Sequence, residues 1–132
     1  MKPIGNVFQK SLEYTFEFEE YGIIVNYDDE FQCFYVTNDN DDTLSAHKNK
    51  KHVYWNYHYN HKSFWNRWFV DMNFCLRSAH GTYLKCENGK LYQSNKSGIK
   101  LPIKMSKTLF VAFYKQHNPM NVCQQFAGLK IL

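Results

Sequence analysis

The stretch "LRSAHGTYLKCENGKLYQSN", from Leu76 to Asn95, restricts the fold more than any other part of the chain. Strand-forming residues are interrupted twice by short polar turns, "AHG" and "ENG", so that strands and turns alternate within a few residues of one another. Gly81 and Gly89 fall where the chain must turn, positions at which a left-handed backbone favours glycine. Strands this short do not bury a face alone. They predict an all-β chain organised as a sandwich or a barrel. The same alternation recurs in "YTFEF", which sets Tyr14, Phe16 and Phe18 on one face. No helical periodicity stands out.

An earlier stretch, "QCFYVTNDNDDTLSAHKNKKHVYWN", has the same order of strand, polar turn, strand, polar turn, strand. Leu44 lies over Leu84, 40 positions on, and Val53-Tyr54 lies over Leu91-Tyr92. A third copy is split between the termini. "GNVFQKS" at 5–11 matches "GKLYQSN" at 89–95, and "LFVAFYKQHNPMNVCQQF" is expected to supply the two strands that precede it. The expectation is three pseudo-repeats of about 40 residues, one of them closed by the N- and C-terminal strands so that no strand edge is left open. Leu44, Val53, Leu84, Leu91, Val7 and Phe8 should then share equivalent core positions. The segment 19–31, "EEYGIIVNYDDEF", is extra in this scheme and reads as a decorated loop or hairpin. The length suits a single domain, 1–132.

Sixteen Lys and Arg against 12 Asp and Glu give a formal charge of +4, a mild preference for an acidic protein face, an anionic membrane or another polyanion. That excess is too small for a dedicated nucleic-acid binder, so no specific nucleic acid is expected. The densest basic segment is "HKNKKH", where His47, Lys48, Lys50 and Lys51 sit on a loop between predicted strands. Arg77, His80 and Lys85, the exposed polar residues of the clearest repeat, are candidate additions to that surface. The stretch "VYWNYHYNHKSFWNRWF" carries Trp55, Trp65 and Trp68, for most of which a core position is expected, although such rings also stack sugars. Strand alternation would set His58 and His61 on opposite faces, so no metal site is expected there.

The four cysteines, Cys33, Cys75, Cys86 and Cys123, contain no C-x-x-C pair, which argues against a zinc ribbon. Cys75 and Cys86 read as small core residues. Cys86 and His80 could form a nucleophile–base pair, but no orienting acid accompanies them. Phosphate loops, H-E-x-x-H and nucleophile elbows are missing from the sequence, so neither an enzyme nor a cofactor is expected. "MKPIGNVFQKSL" has no apolar core of a signal peptide, and no apolar run has membrane-spanning length. The expected setting is cytoplasmic, with reduced thiols and no transmembrane segment.

The segment 74–95 resembles the fascin-like β-trefoil repeat in Leu76, Arg77, His80-Gly81, Tyr83-Leu84, Glu87 and Gly89. Hisactophilin-like proteins are single-trefoil members of that family. The resemblance implies a pseudo-threefold barrel, the β-trefoil, with no enzyme activity. It also implies binding of actin filaments or anionic lipid through surface basic residues. "GTYLKCENGKLYQS" is similar as well to the strand pair of fibroblast-growth-factor-like trefoils, G-x-Y-L followed by G-x-L-Y-x-S. Two alternatives therefore stand beside a cytoskeletal or membrane-surface binder: a lectin-like trefoil that binds a glycan, and a growth-factor-like or cytokine-like ligand.

Overall fold

The computed structural model describes residues 15–57, 63–101 and 104–117. Its strands are β1 (Thr15–Phe18), β2 (Ile23–Asp28), β3 (Cys33–Thr37), β4 (Thr43–Ala46), β5 (Val53–Asn56), β6 (Trp68–Val70), β7 (Leu76–Ser78), β8 (Tyr83–Glu87) and β9 (Lys90–Ser94). All pair antiparallel, in the order β1-β2-β3-β6-β7-β8-β9, with the β4–β5 hairpin branching from β3. The result is a curled antiparallel sheet. Its concave face is filled by Ile23, Val25, Phe34, Val36, Leu44, Trp68, Val70, Leu76 and Leu84, all buried. Strand β2 shows the cause. Ile23, Val25 and Tyr27 alternate onto the core side, as a strand with one buried face requires.

Two parts of the sheet follow the same plan. Leu44 pairs with Trp55, and Leu84 pairs with Gln93. Val53, Tyr54 and Trp55 therefore stand where Leu91, Tyr92 and Gln93 stand in the later hairpin. Phe34 pairs with Trp68, and the Phe74 carbonyl accepts a hydrogen bond from the Leu101 amide at 2.6 Å, which sets Leu101 beside Phe74 as Trp68 is set beside Phe34. Leu44 and Leu84 are fully buried, while Val53 and Leu91 are half-buried against the core. Val7, Phe8 and the rest of the N-terminal copy lie outside the described residues.

One turn is used three times. At Asn38, Asp71 and Ser78 the side-chain oxygen accepts the backbone N–H two residues on, at 3.0, 2.9 and 3.2 Å. It also accepts the N–H four residues on, at 3.0, 2.9 and 3.3 Å. The fourth residue has positive φ each time: Asp41 at 65°, Phe74 at 64° and Gly81 at 87°. Asn, Asp and Ser are the residues whose short side chains offer the backbone this alternative partner.

Three expectations are corrected here. The segment 19–31, expected as an extra loop or hairpin, does form hairpins through β2, but β2 is an inner strand of the sheet between β1 and β3. The stretch 109–126, expected to supply two strands, instead lies over its residues 109–117 in a helix, α1 (Lys107–His117), and its remainder lies outside the described residues. Ser106 caps it, accepting the Leu109 N–H on its hydroxyl at 3.2 Å, and Leu109, Phe110, Ala112 and Phe113 make the buried stripe. Phe113 packs on Phe74, with ring centroids 5.0 Å apart. Gln116 donates to the Val70 carbonyl at 2.8 Å, tying the last turn to β6. Among the tryptophans, only Trp68 is core, its indole N–H donating to the Leu44 carbonyl at 3.1 Å. Trp55 is 38% exposed on β5, which among the described strands pairs with β4 alone, and Trp65 is 47% exposed on the 3-10 turn Phe64–Asn66.

Candidate basic binding site

Strands β4 and β5 are joined by the loop 47–52. Asn49 turns it with φ 63°, a conformation that asparagine tolerates better than most residues. Lys48, Lys50 and Lys51 are exposed. The loop is held against the later hairpin by an antiparallel bridge between His52 and Tyr92 and by the buried side chain of Gln93. Its amide nitrogen donates to the carbonyls of His47 at 3.0 Å and His52 at 3.2 Å. Its backbone N–H donates to the Lys51 carbonyl at 2.7 Å. Its side-chain oxygen accepts from the Thr82 hydroxyl at 2.6 Å, and that hydroxyl is also 2.6 Å from Ser78 Oγ. Gln93 thus connects the basic loop to the 78–82 turn.

Between loop and turn lies a depression of about 510 Å³, lined by Lys48, Asn49, Lys50, Lys51, His80, Thr82, Gln93 and Asn95. No acidic residue lines it. Residues about 40 positions apart are therefore brought to one place by the packing of one hairpin against the next. Lys51 Nζ stands 5.2 Å above the Tyr92 ring. Desolvation first, and then the Glu87 carboxylate that accepts its hydroxyl hydrogen at 3.1 Å, push the Tyr92 phenol above its ordinary value, so it stays neutral beneath that lysine.

The other candidates sit apart from the depression. The Arg77 guanidinium is engaged in its own turn. Its Nε donates to the Gly81 carbonyl at 2.9 Å, its Nη1 to the Tyr83 hydroxyl at 3.3 Å, and Asp71 lies 3.6 Å away. Lys85 donates to Ser97 Oγ at 3.1 Å. The His47 ring stacks on Trp65, with centroids 4.9 Å apart and planes within 9°, and meets Tyr54 edge-on at 5.3 Å. Of the seven candidate binding residues, the structure brings Lys48, Lys50, Lys51 and His80 together. Sequence reasoning missed Gln93, Thr82 and Asn95. The one signal was for Gln93, the Gln shared by "GNVFQKS" and "GKLYQSN"; nothing in the sequence singled out Thr82 or Asn95.

Cys75 and Cys86 are half-buried free thiols: Cys86, two residues beyond Leu84 on the same face of β8, packs against the core, whereas Cys75 stands next to Leu76, which takes the inward position. Burial, and then the Asp71 carboxylate, push the Cys75 thiol above its ordinary value, against smaller opposing effects of Lys100 and Arg77. That is the environment of a weak nucleophile. Among the described residues no group of three or more His, Cys, Asp or Glu is placed to hold a metal ion, and no helix is long and apolar enough to cross a membrane. His58, His61 and Cys123 lie outside the described residues.

A second depression, of about 480 Å³, is lined by Trp55 and Tyr21 together with Asn38, Val53, Lys90 and Leu91. Comparison of the chain with protein-family models, with curated proteins and with solved structures finds no match.

Proposed function

We propose that this chain is a non-enzymatic binding module of the β-trefoil type, cytoplasmic in setting, that holds an anionic partner against the loop 47–52. The observation that carries this reading is the convergence of Lys48, Lys50 and Lys51 with His80 on one depression lined by no carboxylate. Three ammonium groups held this close, in a chain whose whole excess charge is +4, give a local field that favours anions. An acidic actin surface and an anionic bilayer both meet that requirement. Arg77 and Lys85 act in this reading as a structural staple and a peripheral charge.

The test is co-pelleting with actin filaments and, separately, with phosphatidylserine vesicles. Exposed charges are screened as salt rises, so the bound fraction is expected to fall between low and physiological ionic strength. Reversing Lys48, Lys50 and Lys51 together to Glu is expected to remove most pelleting and leave the circular dichroism spectrum unchanged. Unaltered pelleting by that variant would exclude the basic loop.

A lectin-like reading is favoured by a different observation. The half-exposed Trp55 indole shares its depression with Tyr21 and Asn38. Glycan binding that is lost in Trp55→Ala and kept in the lysine variant would decide for this second reading.

A further inference from the structure

The basic depression is concave, and concavity selects among anions. A flat acidic face meets protruding lysines but does not follow the surface down to Thr82 and Gln93, which also line the depression. A compact polyanion reaches both. The volume, about 510 Å³, falls among sites for small molecules, about 300–1,000 Å³. Besides three ammonium groups, the lining includes Asn49 and Asn95, while the hydroxyl hydrogen of Thr82 and both amide hydrogens of Gln93 are already committed inside the protein. Lysine carries a compact charge with rotatable donors and suits a tetrahedral oxyanion without the fixed fork of arginine. A phosphate monoester carries a charge of about −1.5 to −2 near neutral pH and three acceptor oxygens. Two such groups on one ring therefore balance three lysines, which single-charged sulfate esters in the same number do not. The loop is also ordered before any ligand arrives, because Gln93 fixes the His47, Lys51 and His52 carbonyls.

Resting on the anion-binding reading above, the geometry points to a small ring bearing two or more phosphate monoesters, of the inositol phosphate type, as the ligand of this depression. The ligand comes either free or as a lipid headgroup. Beside the loop, Tyr54 at 42% and Trp65 at 47% exposure flank His47, and rings of this kind settle at the bilayer interface. The lipid-borne form would use both features.

The experiment is calorimetric titration of the full chain with inositol trisphosphate. Saturable one-to-one binding is expected. Exposed ion pairs contribute about two- to fivefold each, so the Lys48→Glu/Lys50→Glu/Lys51→Glu variant should bind at least about tenfold more weakly. Lys50→Ala alone should lose about two- to fivefold, and it keeps the test open should the triple variant misfold. A control with the same charge change away from the depression, Lys100→Glu/Lys104→Glu/Lys107→Glu, should retain affinity. Equal weakening by the control would overturn the site in favour of net charge.

A second arm uses phosphatidylcholine vesicles containing phosphatidylinositol bisphosphate, or phosphatidylserine at matched charge. Preference for the bisphosphate vesicles, relieved by excess free trisphosphate, assigns the lipid headgroup. Binding of the trisphosphate without that preference assigns a free phosphorylated ligand. Loop-dependent binding to phosphatidylserine with no binding of the trisphosphate would overturn this inference and leave the anionic-partner reading standing. Absence of loop-dependent binding to every anion would end both. Equal affinity for a sulfated disaccharide would overturn the choice of phosphate.

Discussion

Gln93 has more structural duties than any other side chain at the site. It is buried, with its amide shared between two carbonyls of the basic loop and its oxygen occupied by Thr82. Gln93→Leu fits the space but leaves those carbonyls without a donor, and each buried polar group so stranded costs about 1–3 kcal/mol. The expected outcome is a lower urea midpoint together with weaker trisphosphate binding, because the lysines lose their fixed presentation. A variant that is destabilised but binds with undiminished affinity would show that Gln93 supports the fold and does not position the loop. Leu84 is the plainer case. It is fully buried beneath the same hairpin, and Leu84→Ala is expected to cost about 2–5 kcal/mol in chemical denaturation. A neutral result would contradict its place in the core.

Hairpin strands with turn residues between them were legible from the sequence, and the helix was not. In "SKTLFVAFYKQH" the apolar residues satisfy a strand and a helix alike, as short apolar runs often do. What decides for the helix is Ser106 at its N-terminus, Lys115 and His117 in its last turn, and a stripe that packs on Phe74 and β6. The link ahead of the helix carries its own constraint. Gly98 passes so near β8 that an added Cβ would come 2.5 Å from the Leu84 carbonyl oxygen and 2.7 Å from Tyr83 Cβ. Overpacking against backbone costs about 1–3 kcal/mol, so Gly98→Ala should lower the thermal midpoint, whereas Gly89→Ala meets no neighbour and suffers only from its left-handed backbone. Equal effects at the two glycines would argue against the close approach.

For the whole molecule, the matching registers of Leu44 with Leu84 and of Val53 with Leu91 were readable because both hairpins carry apolar residues at those strand positions. The lysines of the loop were readable because charge clusters locally. Their meeting with His80, Thr82 and Asn95 was not, since it depends on how one hairpin leans on the next. The exposure of Trp55 and Trp65 was hidden for a related reason: an aromatic ring carries no mark of which side of an edge strand it will occupy.

The turn that occurs three times separates two kinds of residue. Its shape is dictated by the first position, Asn38, Asp71 or Ser78, and by the backbone at the fourth. The exposed side chains at two of the tips, Asn40 and Asn73, take no part in those turn hydrogen bonds, to which the residues supply their main-chain N–H, whereas the third, His80, is half-buried with its Nε2 enclosed. Substitution at an exposed tip therefore changes what the surface offers without changing how the chain closes on itself. Such a scaffold can diverge in binding preference over evolutionary time while its folding stays fixed, and the same tips are the natural places to graft a new recognition sequence.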